Sequence, residues 1–201
     1  YQQLLGEGSG LDFDDLLMVA CGTSYHAALV GRYLLEELLG IRVTVELASE
    51  FNHRGQTKFI TNAIAITQSG ETADTLGSIR KLKQSGAKIM VVTNVPGSTA
   101  SRLADQSFYT RAGPEVSVAA TKTFIAQLMV LYQLALLHTR FNSAIHQRLI
   151  RDLRQLPAKV QEVLDNEYWI AECARYLSKH NNTFLIGRGI NYPIAVSYTH
   201  L

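Results

Sequence analysis

The chain has 201 residues, 47% hydrophobic and 18% charged, with a formal net charge of +2. That composition suits one α/β domain with the start of another and excludes a disordered chain, and so small a charge, with no basic block or aromatic-interleaved basic stripe, argues against a nucleic-acid partner. The only cysteines, Cys21 and Cys173, form neither a disulfide framework nor a metal-ligand spacing, so a reducing cytoplasm is the expected compartment.

Residues 1–15 are rich in Gly, Ser and Asp and read as a linker; Glu7, Asp12, Asp14 and Asp15 give them the wrong charge for a secretory leader. Leu16 to Ala20 is a continuous apolar run, the pattern of a strand buried on both faces. Cys21-Gly22-Thr23-Ser24 reads as a turn, followed by a helix to about Leu39 that Gly40 stops. Arg42 to Leu47 is the second strand and Ala48 to Phe51 a helical turn. Ala63 to Thr67 is the third strand, Ala73 to Gln84 a helix, Lys88 to Thr93 the fourth strand, residues 99–104 a short helix and Gln106 to Thr110 a fifth strand. Val118 to Leu137 is the long core helix; its apolar stretch from Phe124 is interrupted by Gln127 and Gln133 and is too short to span a bilayer, so no membrane partner is expected.

From Asn142 to about His180 the pattern gives two helices divided near Pro157. Thr183 to Ile186 then reads as a new strand, and Gly187-Arg188-Gly189 as the turn opening a second copy of the first unit. Strands alternating with helices at these spacings predict a doubly wound parallel sheet flanked by helices. Ligands in such sheets sit beyond the carboxyl ends of the strands. Both hydroxyl-rich turns, 21–24 and 67–72, lie at that edge.

Thr67-Gln68-Ser69-Gly70-Glu71-Thr72 follows a buried strand and precedes a helix. N–H groups at a helix start lack intrahelical partners and carry partial positive charge. Hydroxyls add donors, and glycine lets the backbone approach closely. A plain N-cap needs one or two such side chains, not this cluster. The turn therefore predicts a phosphate site, with Ser69 and Thr72 as the leading hydroxyl donors and backbone N–H groups of residues 69–72 beside them. Thr23 and Ser24 fit a plain helix cap and a second set of donors equally well. Cys21 reads as a structural thiol rather than a nucleophile. Glu71 reads as a residue favouring the following helix dipole rather than as a general base. Glu115 and Lys122 flank a run of small residues that suits either ligand approach or helix packing. The six histidines show no ligand spacing, so no metal is expected. No G-x-G-x-x-G follows a strand, which disfavours a dinucleotide.

The segments CGTSYHAA, ELASEFNHR, TQSGETADTL, TNVPGSTASRLAD, AGPEVSVAATKTF and LIGRGINYPIA, in this order, together resemble the isomerase half of the glutamine–fructose-6-phosphate aminotransferases. The resemblance covers nearly all of residues 10–195. It implies a five-stranded, flavodoxin-like sugar-isomerase (SIS) domain over 16–140, a helical connection over 141–181 and the start of a truncated second SIS domain over 182–201. It implies fructose 6-phosphate or glucosamine 6-phosphate as ligand and no cofactor. It also implies a separate glutaminase domain, a second SIS domain and a homodimeric assembly. The phosphate falls to Ser24, Thr67, Ser69 and Thr72, with Thr23, Gln68 and Gly70 beside them, and sugar contacts fall near Val118 and Ala120. Ala120 stands where the family often has Ser, and Thr67 where it often has Ser. The family's isomerisation base, ring-opening His and Schiff-base Lys belong to the second unit or the C-terminal tail. No catalytic residue is therefore expected in these 201 residues, and the chain alone is expected to be inactive. Residues 196–201 depart from the family pattern and read as a foreign or misread tail. A free-standing phosphosugar-sensing module that regulates a partner is the alternative reading.

Overall fold

The computed structural model describes residues 14–55, 59–116, 120–138 and 143–199. Val118, the linker residues 1–13 and the last two residues lie outside that description.

Five strands, β1 (Asp15–Ala20), β2 (Arg42–Leu47), β3 (Asn62–Thr67), β4 (Lys88–Thr93) and β5 (Gln106–Tyr109), form one sheet in the order β2-β1-β3-β4-β5. Every pairing is parallel, with Ala20 opposite Leu47 on one side and Ile66 on the other. Parallel neighbours require crossovers, and the chain supplies helices for them: α1 (Gly22–Leu39), α2 (Ala48–His53), α3 (Ala73–Gln84) and α4 (Thr99–Leu103), with α5 (Lys122–His138) following β5. The alternation of side chains along each strand divides the core in two. Leu16, Met18, Ile64, Ile66, Met90 and Val92 face α1 and α5. Leu17, Val19, Ala63, Ala65, Ile89 and Val91 face α2, α3 and α4. The central strands are thus covered on both faces, which is why they read as unbroken apolar runs.

The seam between α1 and α5 is close. A Cβ on Gly31 would lie 2.6 Å from Leu131 Cδ1, so the absent side chain sets how near the two helices come. On the opposite layer, the Lys81 ammonium donates to the carbonyls of Phe51, Asn52 and Arg54, capping the end of α2. Asn52 donates to Asp74 O, and its amide oxygen accepts from Ser78 Oγ, which ties α2 to α3.

The first unit follows the expected elements closely, and the differences lie at helix starts and beyond the sheet. Helix α1 begins at Gly22, which places Thr23 and Ser24 in its first turn rather than before it. Helix α5 begins at Lys122, so Ala120 and Thr121 precede it instead of starting it. Pro157 does not divide the following helices. Helix α6 runs Ser143–Asp165 straight through it, and the break comes at Asn166, before α7 (Glu167–Leu177). Pro157 lies on an exposed stretch, where a carbonyl deprived of its N–H partner can bond to water. Thr183 to Ile186, expected as a strand, forms none. A strand is defined by a neighbour's hydrogen bonds, and this segment has no partner strand among the described residues; Phe184 is 89% and Ile186 93% exposed. Helix α8 (Asn191–Thr199) follows and packs on α1, burying Pro193 and Ser197.

Candidate functional site

The strand order reverses between β1 and β3: the chain leaves β1 for β2 on one side and returns to β3 on the other. In doubly wound sheets, ligands bind beyond the carboxyl ends of the strands at such a reversal. The turns after Ala20 and Thr67 leave adjacent strands, about 4.8 Å apart, so the structure brings the two hydroxyl-rich segments to one place. Both lead into helices. The first intrahelical acceptors are Cys21 O, taken by Tyr25 N–H, and Thr72 O, taken by Leu76 N–H. Two sets of helix-start N–H groups without intrahelical acceptors thus lie at the same edge of the sheet.

The 67–72 loop is held from within. Thr67, 2% exposed, accepts Gly70 N–H on its Oγ1 at 3.2 Å and lies 3.1 Å from Thr72 Oγ1. Buried hydroxyls need an acceptor for their proton, and the arrangement that satisfies Thr67 has it donating to Thr72. The Thr72 proton is then not used within the loop. Ser69 Oγ accepts Glu71 N–H at 3.1 Å, which likewise leaves its own proton to give. Gln68 contributes its carbonyl, accepting Asn94 N–H at 3.0 Å and Thr93 Oγ1–H at 3.3 Å. Its side chain is half-buried at the loop.

The loop is also clamped from outside. Gly70 has φ of +71°, and a Cβ there would lie 2.1 Å from Ser98 Oγ and 2.4 Å from Ser98 Cβ. Gly70 O accepts Ala100 N–H at 3.0 Å. The Glu71 carboxylate accepts Thr99 N–H at 2.8 Å, at the start of α4. Hydrogen bonds from Thr99, with the Arg102 charge adding less, hold the Glu71 carboxyl below the ordinary glutamate range. Glu71 is therefore a fixed anion that ties the loop to α4. It stands directly before the N-cap of α3, and its carboxylate also holds the start of α4.

Glu115 plays the same part for α5. It accepts Thr123 Oγ1–H at 2.7 Å, Thr123 N–H at 3.1 Å and Thr121 N–H at 3.3 Å, and the Thr123 side-chain bond is the main cause of its lowered pKa. The carboxylate caps the helix that Ala120 precedes.

Ser24 is buried in the first turn of α1, and its Oγ accepts Gln127 Nε2–H at 2.9 Å. Thr23 is half-buried beside it. Gln127 and Thr93 are the residues that the sequence patterns did not single out. Both are polar, fully buried and next to segments that were. Each carried a signal: Gln127 interrupts an apolar helix, and Thr93 is a hydroxyl ending a buried strand just as Thr67 does. A groove of about 700 Å3 runs elsewhere, between β5 and α5, lined by Tyr109, Arg111, Met129 and Gln133 among others. It flanks the edge strand and collects no helix-start N–H groups. Among the described residues no three His, Cys, Asp or Glu side chains group as metal ligands, and no helix is long and apolar enough to cross a membrane.

The SIS domain family profile matches residues 13–137 of this geometry. The chain belongs to the SIS domain family. Among SIS-containing relatives, the glutamine–fructose-6-phosphate aminotransferase [isomerizing] of Methanosarcina acetivorans is 44% identical over 197 residues, covering 91% of this chain and 32% of that protein. The enzyme of the same name from Methanothermobacter thermautotrophicus is 46% identical over 187 residues, covering 92% and 30%. The chain thus spans about a third of the length of the curated relatives it matches. In three dimensions it resembles the C-terminal domain of the glucosamine-fructose-6-phosphate aminotransferase of Francisella tularensis. The TM-score is 0.87 at 34% identity, covering 92% of this chain and 54% of that one. A phosphosugar isomerase homologue from Silicibacter pomeroyi shares the SIS fold at a TM-score of 0.65 and 28% identity, over 73% of this chain and 44% of that one.

Proposed function

We propose that this SIS domain is the first sugar-phosphate-binding unit of a glutamine–fructose-6-phosphate aminotransferase, and that its β1/β3 crevice holds the phosphate of fructose 6-phosphate or glucosamine 6-phosphate. The observation that carries the reading is the 67–72 loop. Its internal bonds do not use the Ser69 proton, nor that of Thr72 when Thr67 donates to it, at the start of one helix and beside the start of another. In this account Ser69, Thr72 and Ser24 donate hydroxyl protons, and Gly70 lets the loop backbone come close. Thr67 donates through Thr72, and Gln68 and Thr23 line the sides. Val118 and Ala120 fall on the sugar side, before α5.

The assignment to the aminotransferase rests on the relatives at 44% and 46% identity, each about three times as long as this chain. The unit over 16–140 is followed by a helical connection over 141–181 and the opening of a second unit from 182. Chemistry belongs to that second unit and to a glutaminase domain, within a cytoplasmic homodimer, and the 201 residues bind without turning over.

Calorimetric titration with fructose 6-phosphate, fructose and the Ser69→Ala variant tests this. Each hydrogen bond to a charged group is worth about 1.5–3 kcal/mol, so Ser69→Ala should weaken fructose 6-phosphate binding roughly 10- to 100-fold, and fructose should not bind. Equal affinity for the sugar with and without its phosphate would overturn the proposal. So would formation of glucosamine 6-phosphate by the isolated chain.

A further inference from the structure

We propose that Gln127 is a positioning residue of the crevice: its amide, fixed in the α1–α5 seam, presents the Ser24 hydroxyl as a proton donor to the anionic group of the ligand. The inference rests on the sugar-phosphate reading of the site.

Gln127 is 1% exposed and sits on a helix face otherwise given to core residues such as Phe124, Leu131 and Leu134. A leucine or methionine would fill that position without desolvating an amide. The chain instead buries a glutamine whose Oε1 has no hydrogen-bond partner among the described residues. Unsatisfied buried acceptors are unfavourable and call for a reason. Among the described residues the one bond the side chain makes is Nε2–H to Ser24 Oγ, at 2.9 Å and with both residues buried. That bond has a chemical consequence. A serine hydroxyl that receives an N–H on one lone pair still has its proton to place. The usual helical outlet is the carbonyl four residues earlier, but that residue is Ala20, in β1 and outside the helix. Among the described residues no group accepts the Ser24 proton. The proton is therefore available at the start of α1, where the helix dipole already favours an anion.

The helix packing makes the contact possible. Ser24 and Gly31 lie two turns apart on α1, and Gln127 and Leu131 one turn apart on α5. Gly31 admits Leu131 so closely that a Cβ would meet it at 2.6 Å. The same close approach that joins Gly31 to Leu131 brings the Gln127 amide to Ser24.

A double-mutant cycle on the full chain tests the proposal: Gln127→Leu, Ser24→Ala and both together. Each is titrated with fructose 6-phosphate and with inorganic phosphate, and each is unfolded in urea. Gln127→Leu is expected to be as stable as the parent or more so, yet to bind fructose 6-phosphate about 2- to 10-fold more weakly. On the Ser24→Ala background it should have no further effect on binding. Equal losses on both backgrounds would overturn the inference, as would unchanged binding by Gln127→Leu while Ser69→Ala still weakens the parent. Absence of any Ser69-dependent binding in the parent would overturn the sugar-phosphate reading and this inference with it.

Discussion

Gly70→Ala is the sharpest test of the loop geometry, because two separable costs meet there. The first is conformational: φ of +71° is the left-handed region, which costs an L-residue about 1–2 kcal/mol. The second is steric. The new Cβ would lie 2.1 Å from Ser98 Oγ and 2.4 Å from Ser98 Cβ, far inside contact distance. Ser98 is 3% exposed and N-caps α4, so it has little room to yield. Overpacking of this kind costs about 1–3 kcal/mol. The sum for Gly70→Ala is roughly 2–5 kcal/mol of stability. Ser98→Gly removes the obstruction and, because glycine is a passable N-cap, should itself cost only about a few tenths of a kcal/mol. The double variant should therefore recover most of the steric part and keep about 1–2 kcal/mol of conformational loss. Urea unfolding of the four proteins measures each quantity, and phosphate titration reports whether the loop keeps its shape. A Gly70→Ala protein of parental stability, or one that Ser98→Gly does not rescue, would show that Gly70 is not clamped against Ser98.

Other outcomes follow from the same contacts. Lys81→Met should lower unfolding free energy by about 1–3 kcal/mol in urea, because three carbonyls at the end of α2 and its C-cap lose a charged donor. The Glu71 pKa is depressed in the folded state. Its contribution to stability is therefore complete above the unfolded glutamate value of about 4.3 and is lost as pH falls through the lower folded pKa. Glu71→Gln should accordingly destabilise at neutral pH and lose that effect in acid, as urea unfolding between neutral pH and about pH 3 would record. The double variant Phe184→Asp, Ile186→Asp should unfold within about 0.5 kcal/mol of the parent, since both side chains are exposed.

The elements that the sequence made legible are those whose signals are local. Arg42 to Leu47, Ala73 to Gln84 and Lys88 to Thr93 match the observed bounds because apolar runs and their polar or glycine flanks lie within a dozen residues. The 67–72 turn was equally readable as a cluster of hydroxyls at a strand-to-helix junction. What escaped depends on contacts between distant residues. Gln127 reaches Ser24 across 103 residues, and Glu71 reaches Thr99 across 28. No spacing rule announces either. Thr183 to Ile186 has the composition of a strand, but strandedness needs a neighbour. Pro157 marks a helix boundary only where a lost backbone bond cannot be replaced by water.

Amide chemical-shift mapping on the 15N-labelled chain, during titration with fructose 6-phosphate, shows whether the ligand's phosphate sits at the carboxyl ends of β1 and β3. The largest changes should fall on the amides of residues 22–24 and 69–75, while Ser107 to Arg111, beside the groove of about 700 Å3, stay in place. Changes centred on that groove, with the 67–72 loop silent, would contradict it.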